Sequence, residues 1–199
     1  VPWGDALIAA LLQRGIGKNI RADEPDAHQS KAGTATMGGL LFLAGGAAAA
    51  LVLAFAGYPR VLAPLAVMLV FGALGAYDDV RGLRDAGGVG WLARYKFVTQ
   101  WAVAALLSLF LYWTAEQQVL RVPLTGSVVP VRGWFVPLTM LAIVGSANAV
   151  NLTDGMDGLA AGTSAVAFGA YALLSLACGQ DGLGLLAAAL VGALLAFLW

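Results

Sequence analysis

Ser146-Ala-Asn-Ala-Val-Asn-Leu-Thr-Asp-Gly-Met-Asp-Gly-Leu159 places two amides and two carboxylates between two apolar runs, Phe135 to Ala149 and Leu159 to Cys178. Each run reads as a bilayer-crossing helix, so the segment between them marks a membrane boundary. Ionisable groups at the edge of a bilayer are costly to hold and by default mark a substrate or ion site. Asn148, Asn151, Asp154 and Asp157 recur every third residue, so on a helix they form one stripe drifting by roughly 60° per step. Gly155 and Gly158 are expected to loosen that helix where the stripe becomes anionic, freeing backbone groups for water or a ligand. The competing reading is a hydrated loop capped by Asp and Asn.

The rest of the chain repeats the apolar pattern. Of its 199 residues 60% are hydrophobic and only 11% charged, and the mean hydropathy is +0.83, outside the range of soluble globular domains. Four further runs, Leu40 to Ala56, Val61 to Tyr77, Phe97 to Trp113 and Leu183 to Trp199, bring the expected spans to six, the fourth being short. The expected fold is an all-α polytopic transmembrane bundle forming one integral-membrane domain over residues 1–199. Glycines at 45, 46, 72, 75, 162, 169, 184 and 192 suit close helix approach in lipid, without singling out any one contact.

Net charge is zero, and its distribution is more informative. Arg14, Lys18, Arg21 and Lys31 precede the first full span, and Arg81, Arg84, Arg94 and Lys96 lie between the second and third. The opposite side holds Arg60, Arg121 and Arg132. The positive-inside rule therefore places the former loops in the cytoplasm. The same face collects Asp23, Glu24, Asp26, Asp78, Asp79, Asp85, Asp154 and Asp157, a mixture suited to an anionic substrate held with a metal ion. A single cysteine, Cys178, excludes an intrachain disulfide and a cysteine metal cluster, and reads as a small apolar filler near the outer end of the fifth span. The stub Val1 to Leu12 is too short to span, and the last run stops at Trp199 without a polar flank, so both ends read as cut.

Two more constellations share the cytoplasmic side. His28-Gln-Ser-Lys-Ala-Gly-Thr-Ala-Thr-Met-Gly-Gly39 brings Lys31, Thr34 and Thr36 to the start of a helix, where free N–H groups and the positive dipole end suit a phosphate. Ordinary capping by threonine at a glycine corner is the alternative, and a lone His28 reads as a surface or structural residue. Gly75-Ala-Tyr-Asp-Asp-Val-Arg-Gly-Leu-Arg84 sets two adjacent carboxylates at a membrane boundary, where they repel unless cations offset them. On a helix Asp78 and Asp79 point about 100° apart and serve different partners, although a solvated pair terminating the helix fits as well. Magnesium is the metal these oxygen donors suggest, because it binds through one or two carboxylates plus substrate phosphates. The His or Cys set that zinc favours is missing.

Together, Lys-x-Gly-Thr-x-Thr-Met-Gly-Gly at 31 to 39, the Asp pair at 78 and 79, and Asn-Ala-Val-Asn-Leu-Thr-Asp-Gly-Met-Asp-Gly-Leu-Ala at 148 to 160 resemble the phospho-N-acetylmuramoyl-pentapeptide transferase family. That family belongs to the polyprenyl-phosphate sugar-1-phosphate transferases, and the similarity runs in order along essentially the whole chain. The His28-x-x-Lys31 lead-in and the Thr-Met-Gly-Gly turn look like the muramoyl branch. Ala35 and Val80 depart from it, standing where proline and an aromatic are usual. The resemblance implies a bacterial inner-membrane enzyme of roughly ten helices, of which this piece would hold about six full spans. It implies transfer of phospho-N-acetylmuramoyl-pentapeptide from its UDP-linked precursor to undecaprenyl phosphate with Mg²⁺, giving lipid I and UMP. By similarity Asp78, Asp79 and Asp154 would be catalytic, with Asp78 and Asp79 near the metal. Lys31, Thr34, Thr36, Asn148, Asn151, Asp154 and Asp157 would contact substrate. The family's main metal ligand would lie beyond Trp199, so the 199-residue piece alone is expected to be inactive. Partners would be the two substrates and the bilayer, with no nucleic acid and a homodimer left open. Whether an aspartate acts as a base stays open, since a phosphate monoester is already largely dianionic at neutral pH. The rivals are the same chemistry with UDP-N-acetylglucosamine and, more distantly, a transporter or scaffold, which broken helices near mid-membrane would favour.

Overall fold

The computed structural model describes residues 38–84, 92–114, 118–121 and 127–198. Six α-helices follow one another: α1 Gly39–Phe55, α2 Leu62–Arg84, α3 Ala93–Thr114, α4 Phe135–Thr153, α5 Leu159–Ala177 and α6 Asp181–Leu198. All six expected spans are present as helices. Five elements are long and apolar enough to cross a membrane, and Gly39–Phe55 is the shorter apolar helix at 17 residues. The fourth span is therefore not the short one. α4 has 19 residues because it continues through Asn148 and Asn151 to Thr153. α2 likewise runs past Tyr77 to Arg84, 23 residues in all, or about 34 Å.

The described residues fall into two compact units, one formed from α1, α2, α5 and α6, the other from residues 93–152. In the first unit α1 and α2 are antiparallel neighbours. Gly46 faces the Met68 thioether and Gly72 faces Leu43. α6 runs antiparallel to α1, with Gly45 against Ala193 and Gly38 against Phe197, and antiparallel to α5, with Gly184 against Leu176. Ala50, Val61, Leu65, Leu186 and Leu190 form the main core cluster. Ala161, Ala165 and Leu194 form a second one, closed by Phe42 and Phe168. Glycines recur at these helix contacts because lipid supplies no hydrophobic force between helices, so close backbone approach and dispersion must hold them.

Two of the unit's hairpin turns use the same device. Tyr58 donates its N–H to Leu53 O at 3.0 Å, and Gln180 donates to Ser175 O at 2.8 Å, each bridging the left-handed Gly57 (φ 98°) or Gly179 (φ 69°). This double-ended cap satisfies the last helical carbonyls where water is scarce.

The second unit has one antiparallel register throughout. Asn148 bonds Gln100, Phe135 meets Tyr112 at 6.1 Å between ring centroids, and between these helices a two-stranded hairpin continues the pairing. Its strands, β1 Val119–Arg121 and β2 Val128–Pro130, set Val119 opposite Pro130 and Arg121 opposite Val128. Sequence periodicity does not reveal this hairpin, since three residues are too few for a strand pattern. Its base is tied to the helix end: Gln118 Nε2 donates to Tyr112 O at 3.1 Å, and Val131 N donates to Gln118 O at 2.9 Å.

Many large apolar side chains face outward, including Phe55 at 91% and Trp113 at 82% exposure. Such a surface is a liability in water and ordinary in a bilayer. The protein is a multi-pass helical membrane protein.

Candidate functional site

The antiparallel arrangement of the first unit decides which motifs share an end. α1 begins where α6 ends, since the Phe197 ring lies 2.8 Å from where a Cβ on Gly38 would stand. α5 begins there too, with Leu198 3.1 Å from the corresponding point on Gly158. α2 runs antiparallel to α1, and the Leu43–Gly72 contact brings the level of Asp78 and Asp79 to the start of α1. The start of α1, the aspartate pair and the turn containing Asp154 and Asp157 therefore occupy one end of this unit.

That end is built from few parts. Gly38 is the N-cap of α1, and its lack of a Cβ admits the Phe197 ring. Gly158 caps α5 at φ 79°, a left-handed conformation that a Cβ would strain. Two helix N-termini thus present unsatisfied N–H groups and positive dipole ends toward one side. Phe197 and Leu198 brace both from within. Between α4 and α5 the chain leaves the helix after Thr153. Gly155 N–H bonds Thr153 O at 2.8 Å and Leu159 N–H bonds Met156 O at 3.1 Å, while Gly162 N–H reaches Gly158 O at 2.8 Å to start α5. The polar stripe accordingly holds for Asn148 and Asn151 on α4 and breaks at Asp154, as Gly155 and Gly158 suggest. Asp154 and Asp157 are both exposed.

Asp78 and Asp79 sit inside α2 rather than at its end, because the helix continues to Arg84. The pair does not terminate the helix. The expected divergence is visible in burial, Asp78 being half-buried and Asp79 exposed. Immediately before the pair, Tyr77 accepts a hydrogen bond from Arg81 Nη1 at 3.3 Å, and the guanidinium lies 6.0 Å from the ring centroid. Among the described residues, no group of three or more His, Cys, Asp or Glu side chains could hold a metal. Lys31, Thr34, Thr36 and His28 lie outside the described residues.

In the second unit Asn148 is part-buried and spends its amide internally. Nδ2 donates to Gln100 Oε1 at 2.9 Å and to Val144 O at 2.8 Å. Asn151, three residues on, is exposed. Gln100 was not among the sequence candidates. The available signal was a carboxamide inside the apolar run Phe97 to Trp113, since a polar side chain within a span needs a partner.

Two helix N-termini gathered at one end of a helical membrane protein have the donors and dipole ends that suit an anion. Residues 61–199 match the family model described as glycosyl transferase family 4. The chain belongs to that family. It is 40% identical over 209 residues to a phospho-N-acetylmuramoyl-pentapeptide-transferase of Desulforudis audaxviator, covering 98% of this chain and 63% of that protein. A Picosynechococcus protein of the same name is 41% identical over 198 residues, covering 99% of this chain and 53% of its own length. The chain thus spans 63% and 53% of these two curated relatives.

Proposed function

We propose that the protein transfers phospho-N-acetylmuramoyl-pentapeptide from its UDP-linked precursor to undecaprenyl phosphate in a bacterial inner membrane. An oxygen of the lipid phosphate attacks the sugar-bearing phosphorus, forming one P–O bond while the bond to the bridging oxygen breaks, and UMP leaves with that electron pair. Lipid I is the other product. The observation that carries this reading is the gathering of the α1 start, the Asp78–Asp79 pair and the Asp154–Asp157 turn at one end of one unit. The 40% identity to a relative with that activity in its name supports the choice of sugar.

Charge neutralisation and alignment are most of what such an exchange needs. The N-termini of α1 and α5 offer positive dipole ends to phosphate oxygens. Asp154 and Asp157 offer two acceptors to the nucleotide sugar. Asp78 and Asp79 are hard oxygen donors whose chemistry suits Mg²⁺, which is commonly held by one or two carboxylates and completed by substrate phosphates. That ion, when bound, would supply countercharge to the pyrophosphate.

The test is UMP release by the full-length parent protein from UDP-N-acetylmuramoyl-pentapeptide and undecaprenyl phosphate, with and without Mg²⁺. UDP-N-acetylglucosamine serves as the competing donor. Preference for the latter would reassign the sugar, and no release from either would remove the transferase reading.

The loop charges support a cytoplasmic position for the Asp79 and Asp154 end. Cys178 is exposed and caps the other end of α5, about 28 Å of helix away. An impermeant maleimide added to intact spheroplasts is therefore expected to label Cys178. A cysteine placed at Asp154 in a Cys178→Ser background is expected to react only after permeabilisation. The reverse pattern would invert the orientation.

A further inference from the structure

We infer that the β1–β2 hairpin is an interfacial anchor, laid over so that the Leu120–Val129 rung rests among the phospholipid headgroups beside the ends of α3 and α4. The inference is independent of the reaction proposed above and needs only that α3 and α4 cross a bilayer.

The hairpin is too small to stand by itself. Each strand has three residues, about 10 Å of chain, and a lone two-stranded ribbon of that size is at best marginally stable in water. Successive rungs of the ladder face opposite sides, and the rungs are not alike. Leu120 stands opposite Val129, both apolar and exposed, at 54% and 45%. The next rung pairs Val128 with a charged residue, Arg121. One side of the ribbon is therefore apolar across both strands and uncovered, while the other carries a charged residue in its sequence.

Where the hairpin is tied decides what covers the apolar side. Gln118 Nε2 donates to Tyr112 O at 3.1 Å, and Val131 N–H donates to Gln118 O at 2.9 Å. Trp134 N–H in turn reaches Val131 O at 2.7 Å. These bonds hold the base of the ladder beside Trp113 and Trp134, which lie near the end of the α3 span and the start of the α4 span. Both indoles are exposed, at 82% and 73%, and tryptophans at span ends sit at headgroup level. The ladder accordingly starts at the membrane surface. It then turns aside: Val131 is helical at φ −91° and ψ −17°, and Arg132 has φ 35°, a left-handed value that a non-glycine residue keeps only when its surroundings enforce it. Two bent residues in succession stop β2 from running on along the axis of α4. A ribbon deflected at this level lies along the membrane, so the lipid-facing surface of the two helices continues onto Leu120 and Val129. Arg132 is exposed at the corner, a cation whose charge complements lipid phosphates while its stem stays on apolar ground.

The experiment measures what each face of the ribbon touches. Leu120→Cys, Val129→Cys and Val128→Cys are made singly in the full-length parent protein freed of its other cysteines, labelled with a fluorophore and reconstituted into phosphatidylcholine vesicles. Two quenchers are compared, iodide in the water and a nitroxide at the headgroup end of a lipid acyl chain. Labels at Leu120 and Val129 are expected to lose at least about twofold more emission to the nitroxide than to iodide, as suits a side chain about 5–10 Å into the boundary between headgroups and acyl chains. The label at Val128 is expected to show the reverse order. Stronger quenching by iodide at Leu120 and Val129 would put that face in water and overturn the anchor. Protection from both quenchers would put it against protein, a second copy or a partner, and would overturn it equally. So would identical behaviour at Val128 and Val129, because the ladder would then have no lipid side. Thermal midpoints are measured for every labelled variant. If one cysteine unfolds the protein, the other, on the opposite strand, reads the same face.

Discussion

Asp79→Asn, Asp78→Asn and Asp154→Asn are each expected to lower UMP release at least about 10²-fold, the scale on which one preorganised electrostatic group contributes to turnover. The substitution keeps side-chain size and removes one negative charge, so folding should be little affected. Asp181 is the comparison: it lies in the first turn of α6, at the far end of the unit from the motifs. Asp181→Asn removes a favourable interaction with that helix N-terminus, about 0.3–1 kcal/mol of stability, and should leave turnover near that of the parent. Initial rates at saturating substrates, compared with thermal midpoints in the same detergent, separate the two effects. Three motif variants with near-parental rates would remove the catalytic assignment, whatever Asp181→Asn does.

Gly184→Val is expected to have the largest effect on stability. A Cβ at Gly184 would stand 2.7 Å from Leu176 Cγ and 3.2 Å from the Ala172 carbonyl oxygen. The leucine can rotate away, but the carbonyl belongs to the backbone of α5 and cannot move without parting the hairpin. Overpacking of this kind costs about 1–3 kcal/mol, and the branched side chain should bring the upper part of that range. Gly192 lies on the same helix with nothing within 4 Å of its added Cβ. Gly192→Ala should be neutral or stabilising by up to about 1 kcal/mol through helix propensity. Thermal unfolding of the two variants beside the parent checks the contrast, and equal midpoints would contradict the close α5–α6 approach.

The glycines illustrate how far the sequence alone reaches. Gly46, Gly72 and Gly184 meet neighbours closely, whereas Gly75, Gly162, Gly169 and Gly192 face open space. Both groups sit in similar Ala- and Leu-rich runs, so composition could announce helices that pack closely without saying where. The six helices themselves were legible, since lipid-spanning runs are long and nearly uninterrupted. Boundaries failed where a polar residue was mistaken for an edge. Asn148 made the fourth span look short, yet its amide is satisfied by Gln100 and Val144, so the helix continues through it. The apolar run of the second span ends at Tyr77, yet α2 carries both aspartates onward to Arg84. The acidic and amide motifs of the described site were visible because charge near a bilayer is rare. Gln100 was missed because its partner lies 48 positions away, beyond the reach of any local pattern.

The way α6 threads back onto α1 bears on biogenesis. Residues 93–152 pair helix with helix and strand with strand between neighbours in sequence, so their contacts are local and can form as soon as both helices have left the ribosome. The first unit has local hairpins too, α1 with α2 and α5 with α6, but joining the two hairpins is not local. Gly46 meets Leu190, roughly 145 residues later, and α1 and α2 must wait in the bilayer while the intervening helices are inserted. Only when α6 arrives do Phe197 and Leu198 reach the starts of α1 and α5. The end of the unit that holds the aspartates is therefore completed last, and during synthesis the nascent protein carries its acidic residues before it has the frame that would let them act.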